Sequence, residues 1–372
     1  MPPINVLIKP ASGNCNMRCD YCFYYDTMSK REQPSYGMMS AETLEAVIKQ
    51  VLSYAEGSCT FAYQGGEPTL CGLSFFEKSI ELQKKYNKNK VKIHNALQTN
   101  GYQLDKAWAD FFKTNGFLIG ISLDGAPKIH DYYRKTTKGQ GTFFQIIKNI
   151  ELFAREGVEF NVLSVVNGKN AQAIRRNYEF YKKNHINYLQ FIACLDPLGE
   201  APGQREYSLA PNVYGEFLIE LFNLWYEDLC QGKQPFIRHF ENYIAILAGQ
   251  APESCDMRGV CGMQYVVEAD GSVYPCDFYV IDKYRLGNFN SDTVEELDAV
   301  RETLGFIESS LQKEDKCSTC CYNYLCRGGC RRTRIEEKNH HQYYCEAYKI
   351  FFDACLPKLQ EIAAFIQKRR YQ

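Results

Sequence analysis

The chain has 372 residues, long enough to bury a large core and to form one large domain plus a smaller one. Its 43 Lys and Arg against 44 Asp and Glu leave a net charge of −1, which gives no general attraction to nucleic acid or to an anionic membrane. The start, MPPINVLIKP, lacks the charged and apolar regions of a signal peptide, and no run nears the roughly 18 apolar residues of a membrane span, so the chain is expected to be soluble and cytoplasmic.

Ile4 to Ile8 reads as a first strand, followed by Cys15-Asn-Met-Arg-Cys19-Asp-Tyr21-Cys22. Three cysteines at CxxxCxxC spacing in a loop able to curl suit a soft metal centre. The number is informative: a cubane iron–sulfur cluster takes four ligands, so three cysteines leave one iron open to a substrate or cofactor. A zinc knot, or buried cysteines without a ligand role, are the competing readings.

Past the cysteine loop, Ser40 caps a predicted helix to about Glu56, with Leu44, Val47, Ile48, Val51 and Leu52 at helical spacing. A short strand, Cys59–Tyr63, is closed by Gln64-Gly-Gly-Glu-Pro-Thr69. The alternation continues with helix 74–86, strand 91–97, helix 104–114, strand 117–123, helix 142–156, strand 158–165, helix 170–183 and strand 188–192. Six strands alternating with helices predict parallel βαβ units, doubly wound or closed part-way into a barrel. In either case functional loops follow the C-terminal strand ends. The cysteine loop, Gly65-Gly-Glu-Pro, Gln98-Thr-Asn, Ser122-Leu-Asp-Gly and Cys194-Leu-Asp-Pro all sit there, and Asn161 lies within the fifth strand.

Near 200–235 the pattern changes, with Pro202-Gly203 and Pro211 marking a connection into helices near 213–230 and 240–247. The domains are expected at 1–234 and 235–372. Glu268-Ala-Asp-Gly-Ser-Val-Tyr274 predicts a hairpin with an Asp-Gly turn, bringing Cys261 and Cys276 together. Cys261-x9-Gly271-x4-Cys276 is followed by Cys317-x2-Cys320-x5-Cys326-x3-Cys330 and then Cys345. With Cys255 this makes eight cysteines, enough for two fully ligated clusters; a zinc ribbon is the alternative. Seventeen cysteines without a secretory signal favour metal ligation over disulfides. The remaining six, Cys59, Cys71, Cys194, Cys230, Cys321 and Cys355, are expected as small buried apolar residues. Arg327, Arg331, Arg332 and Arg334 would offset the negative charge of a cluster. Lys368-Arg-Arg370 reads as a solvated helix end.

CxxxCxxC after the first strand, GGEP after the second and SLDG after the fourth resemble the radical S-adenosylmethionine enzymes. The later cysteine spacing resembles their SPASM domain. The resemblance is closest to the anaerobic sulfatase-maturating enzymes, through Ile8-Lys-Pro-Ala-Ser12, Cys22-Phe-Tyr-Tyr25, Gln98-Thr-Asn-Gly101, Leu195-Asp-Pro197 and Tyr274-Pro-Cys-Asp-Phe-Tyr279. It implies an α/β fold, a partial (β/α)6 barrel with a C-terminal cysteine-rich SPASM domain binding two Fe–S clusters. It implies three [4Fe–4S] clusters: Cys15, Cys19 and Cys22 hold one with an iron open to S-adenosylmethionine, Cys255, Cys261, Cys276 and Cys330 hold a second, and Cys317, Cys320, Cys326 and Cys345 a third.

By the same resemblance Gly66 receives the amino group of S-adenosylmethionine, Ser122 a ribose hydroxyl or the methionine part, Arg134 the carboxylate and Leu195 the adenine, with Tyr21 beside the cluster. Tyr24 is expected near the deoxyadenosyl carbon and the peptide, and Asp277, tethered beside Cys276, is expected as the base. The implied activity is oxidation of a cysteine or serine of a sulfatase to Cα-formylglycine, through a 5′-deoxyadenosyl radical that takes hydrogen from Cβ. Expected partners are a peptide or unfolded sulfatase and a flavodoxin- or ferredoxin-type electron donor, with no nucleic acid and no membrane. Two rivals are a SPASM enzyme that crosslinks a ribosomal peptide and a non-catalytic Fe–S electron carrier.

Overall fold

The computed structural model describes residues 3–370. Through the first half the chain runs β1 (Ile4–Ile8), α1 (Phe23–Ser29), α2 (Ala41–Tyr54), β2 (Ser58–Tyr63), α3 (Leu73–Tyr86), β3 (Lys92–Thr99), α4 (Lys106–Thr114), β4 (Phe117–Ser122), α5 (Phe143–Glu156), β5 (Phe160–Val166), α6 (Ile174–Lys183) and β6 (Tyr188–Ala193). It continues through α7 (Pro211–Cys230), β7 (Phe236–Ile237), α8 (Arg238–Leu247), β8 (Tyr265–Val267), β9 (Ser272–Tyr274), β10 (Gly287–Asn288) and α9 (Cys345–Arg370). The six predicted βα repeats are present, with ends shifted by a few residues. No helix of the described residues is long and apolar enough to cross a membrane.

The chain divides into two compact units. The first comprises Met1–Leu123, His130–Asn161 and Met263–Phe306; the second comprises Asp124–Ile129, Val162–Gly262 and Ile307–Gln372.

In the first unit β1 to β4 lie side by side and parallel, Ile4 opposite Cys59, Cys59 opposite Ile93 and Asn95 opposite Phe117. The connections begin as the sequence pattern directs: the Ser40 side chain accepts the Thr43 amide at 3.1 Å, Asp105 accepts that of Trp108, and α5 stops at Gly157 with φ +72°. Beneath the sheet a ladder of rings, Tyr63, Phe76, Trp108, Phe112 and Phe153, makes edge-on or tilted contacts at centroid distances of 5.2–5.9 Å. On its other side β1 pairs in parallel with β8, Val6 opposite Tyr265. The predicted Asp-Gly hairpin is therefore real, β8 and β9 being antiparallel, and it extends the same sheet. A two-strand ribbon, Met17–Cys19 with Arg134–Thr136, lies apart from this sheet.

In the second unit β5, β6 and β7 are parallel, Val162 opposite Leu189 and Leu189 opposite Ile237. Helices α7, α8 and α9 pack on one another through Phe222, Trp225, Phe240 and Phe351, with ring centroids 5.2–5.9 Å apart. α7 and α9 approach closely at Gly215, where a Cβ would sit 3.2 Å from the Ala347 backbone. Of the six cysteines expected to be buried, Cys59, Cys194 and Cys355 are, and Cys71 is half-buried. Cys230 and Cys321 are exposed, a correction: one ends α7 and the other follows Cys320 in a surface turn, where no core reaches them.

Phe351 is fully buried where α7, α8 and α9 meet. Phe351→Ala is expected to destabilise the chain by about 3–5 kcal/mol in denaturant unfolding, the usual cost of emptying an aromatic site. A loss under about 1 kcal/mol would mean that the seam refills.

Candidate active site and metal centres

The loop between β1 and α1 carries the first three cysteines, all half-buried. Its curl is set by backbone bonds, Asn14 N–H to Ala11 carbonyl at 2.9 Å and Cys22 N–H to Cys19 carbonyl at 3.1 Å. The ribbon pairs Cys19 directly with Arg134. The thiols face donors: the Met17 amide at 3.4 Å and the Asn100 amide group at 3.8 Å from Cys15 Sγ, and Arg134 Nη1 at 3.8 Å from Cys19 Sγ. Donors of this kind stabilise sulfur that carries negative charge. The Arg134 guanidinium also lies 5.5 Å from the Tyr21 ring, so Tyr21, Cys19 and Arg134 form one cluster.

The loop after β2 is clamped against this one. Glu67, 1% exposed, accepts the Thr69 amide at 3.1 Å and the hydroxyls of Thr69 and Thr99, both at 2.7 Å, on one oxygen. Its other oxygen takes the Asn100 amide at 2.7 Å. Its own N–H donates to the Asn14 carbonyl at 2.8 Å, and Asn100 Nδ2 donates to Asn16 at 2.7 Å. Burial raises the Glu67 pKa, while those hydrogen bonds pull the other way. Gly66, at φ +55°, lies so close that a Cβ would stand 2.2 Å from the Asn14 carbonyl and 2.8 Å from that of Ser12. Ser122 is buried at the end of β4 in the same unit. Leu195 follows β6 in the second unit and is half-buried.

Around Asp277 the structure assembles groups that periodicity did not single out. Lys9, fully buried at the end of β1, forms an ion pair with one Asp277 oxygen, and Gln64 Nε2 donates to the other at 3.0 Å. Lys9 Nζ also lies 3.9 Å from the centroid of the Tyr24 ring. The Tyr24 hydroxyl donates to Glu268, which the buried Arg31 pairs at 2.8 Å. Burial, then the Glu268 charge, holds the Tyr24 pKa well above its ordinary value, so the phenol stays a neutral donor. Its ring packs with Val266, Tyr274 and Val280. Tyr24 and Asp277 are thus joined through one lysine. The sequence signal was a charged residue inside the apolar run INVLIKP, a position where lysine is seldom buried unless paired.

Two groups of the later cysteines gather within the second unit. Burial pushes the Cys330 thiol up to about 12, with Cys255 and Cys261 among its charged neighbours. Burial likewise pushes Cys326 up to about 11, with Cys345, Cys317 and Cys320 around it. Cys345 opens α9, and burial raises its thiol pKa. Cys276 follows β9 in the first unit. Among the described residues no three His, Cys, Asp or Glu side chains gather tightly enough to hold one metal ion. A cubane asks for something different, thiolates spread around a larger body with each on its own iron, and these all-cysteine sets have the matching donor chemistry.

The Radical SAM superfamily model matches residues 10–181, and that of an iron–sulfur cluster-binding domain, SPASM, matches residues 255–321. The cysteine-type anaerobic sulfatase-maturating enzyme of Clostridium perfringens (strain 13 / Type A) is 47% identical over 367 residues, covering 98% of this chain and 99% of that protein. The one of Clostridium novyi (strain NT) is 44% identical and covers both chains fully. The solved structure of native anSMEcpe with bound AdoMet and Cp18Cys peptide is similar at a TM-score of 0.93 and 47% identity, over 98% of this chain and all of that one.

Gly66→Ala is expected to lower 5′-deoxyadenosine formation about a hundredfold, the rate equivalent of the few kcal/mol that such a backbone clash costs. Gly57→Ala, at φ +69° with open space around its Cβ, is the control for left-handed strain alone and should stay within a few-fold of wild type. Equal effects of the two would remove the role given to the clamp.

Proposed function

The chain belongs to the family of anaerobic sulfatase-maturating enzymes, and from that we propose that it oxidises a cysteine side chain of a sulfatase to Cα-formylglycine. The observation that carries this is likeness to cysteine-type enzymes across the full length of both chains, together with a cysteine triad at CxxxCxxC spacing in the loop after β1. The fold is the α/β partial (β/α)6 barrel of radical S-adenosylmethionine enzymes with a C-terminal SPASM domain. The cofactors are S-adenosylmethionine and [4Fe–4S] clusters. When bound, they would supply the radical chemistry that removes hydrogen from the substrate Cβ and the clusters that accept the second electron.

The chain's own residues do the rest. Cys15, Cys19 and Cys22 hold the first cluster, and Arg134, lying against Cys19 and Tyr21, pairs with the methionine carboxylate. Gly66 offers bare backbone to the amino group, Ser122 a hydroxyl, and Leu195 an apolar surface to adenine. Asp277 takes the proton of the substrate thiol, and the thioaldehyde left by the two-electron oxidation exchanges with water to give the aldehyde and hydrogen sulfide. Lys9 and Gln64 hold one carboxylate oxygen each, which fixes its orientation while lone pairs remain to accept. Tyr24, its hydroxyl engaged by Glu268, contributes its ring, on which Lys9 rests, as a wall beside the reacting groups. The two auxiliary clusters take the cysteine sets given above, in a domain division near residue 234. The substrate is a peptide or unfolded sulfatase, the electron donor a flavodoxin or ferredoxin, and the compartment the cytoplasm.

Two experiments test this reading. Anaerobic, reduced protein with S-adenosylmethionine and a cysteine-containing sulfatase peptide should give a formylglycine peptide by mass, with one 5′-deoxyadenosine per product; a thioether or carbon crosslink instead would move the chain to the peptide-crosslinking rival. Asp277→Asn should keep its clusters and its deoxyadenosine while product falls roughly 10²–10⁴-fold, the usual share of a general base. Product within a few-fold of wild type would transfer the proton to another residue.

A further inference from the structure

Four residues past Cys330, on the short strand Arg334–Ile335, stands an arginine with 8% of its surface exposed. Arginine carries five N–H donors in a planar fork, and here each goes to a backbone carbonyl. Nε reaches Gly328 at 2.9 Å, Nη1 reaches Ser310 at 2.5 Å and Gln312 at 2.8 Å, and Nη2 reaches Gly259 at 2.9 Å and Gly329 at 2.7 Å. The five carbonyls come from three loops. Gly259 lies two residues before Cys261; Gly328 and Gly329 fill the step from Cys326 to Cys330; Ser310 and Gln312 form a turn whose Ser310 hydroxyl accepts the Cys261 amide at 2.9 Å. The loops are packed tightly enough to exclude side chains: a Cβ on Gly259 would lie 1.9 Å from the Arg327 carbonyl. Cys330, Cys261, Cys317 and Cys326 are all electrostatic neighbours of the guanidinium, two from each ligand group. Because all five partners are neutral carbonyls, these bonds do not cancel the positive charge.

We propose that Arg334 is a positioning residue that builds the two auxiliary cluster sites as one assembly, locking the Gly259, Ser310–Gln312 and Gly328–Gly329 loops in register and leaving a fixed cation between the cysteine groups. This rests on the reading of those cysteines as ligands of two clusters. Lysine keeps the charge, but one ammonium with three donors cannot bridge five carbonyls on three loops. The same side chain therefore governs both sites, and its loss empties both together.

The test assembles the full chain anaerobically with iron and sulfide, then measures iron, zinc and 5′-deoxyadenosine formation. Wild type should hold about twelve irons, four per cubane. Arg334→Lys should fall to about four, the remaining cluster being that of Cys15, Cys19 and Cys22, with deoxyadenosine formation within a few-fold of wild type. Ser310→Ala, which frees the Cys261 amide and the Ile307 carbonyl but leaves the Ser310 carbonyl to Arg334, should hold about eight. Sub-denaturing guanidinium present during assembly should restore iron to Arg334→Ala, whereas methylammonium should not; a side chain that merely fills space would show no such preference. Full iron in Arg334→Lys, loss confined to one auxiliary site, loss of the first cluster as well, or the absence of guanidinium rescue overturns the proposal. Wild type holding zinc or only about four irons overturns instead the cluster assignment beneath it.

Discussion

A carboxylate taken almost wholly out of water is expensive unless every lone pair that matters is met. Glu67 is such a group, and four donors from Thr69, Thr99 and Asn100 meet it at 2.7–3.1 Å. The loop after β3 is thereby fixed to the loop after β2. The Glu67 amide in turn holds the Asn14 carbonyl, one residue before the first cysteine. Three loops from three parallel strands become one surface, and the cysteine triad inherits its position from it. Gly66 follows as a necessity, since the backbone that Glu67 draws in leaves no room for a Cβ. Hydrogen bonds to a charged group are about twice as strong as neutral ones, which is why one side chain can impose this order.

Buried charge answered by a fixed surround recurs elsewhere in the molecule. Within the first unit, Arg31 with Glu268 is an ion pair closed off from water and Lys9 with Asp277 is one buried on the lysine side, and the Tyr24 ring and hydroxyl touch both. Such pairs add little net stability, because desolvation offsets their attraction, but removing one partner is costly. Their value is in orientation: a proton acceptor must be within hydrogen-bond reach of the atom it serves, held by partners that do not move. In the second unit the sign is reversed, with the Arg334 cation ringed by carbonyls. The glycines around Arg334 are there because backbone, not side chain, does the solvating.

Much of this could be read from the residues in order. The six βα repeats, the Ser40 cap and the Asp-Gly hairpin are local patterns, and local patterns survive into the fold. The ligand candidates were named from cysteine spacing, which is itself a chemical statement, whereas the grouping of Tyr21, Cys19 and Arg134 is visible only in the fold. What periodicity could not supply was long-range pairing. Nothing in Tyr265–Val267 announces that it will lie parallel to β1, some 260 residues earlier in chain order. The burial of Lys9 and the meeting of Arg31 with Glu268 depend on that pairing, since β8 delivers Glu268. The exposed thiols of Cys230 and Cys321 were misjudged for the opposite reason: cysteine is most often buried, and only the finished surface shows these two to be exceptions.

Removal of hydrogen from the substrate Cβ, as proposed above, has a direct isotopic consequence. A sulfatase peptide whose cysteine carries deuterium at Cβ would be turned over anaerobically, and the 5′-deoxyadenosine formed would be weighed. The account predicts one deuterium in the deoxyadenosine for each formylglycine made, and none when the label sits at Cα. Deoxyadenosine without deuterium from Cβ-labelled peptide, alongside a normal yield of formylglycine, would contradict it.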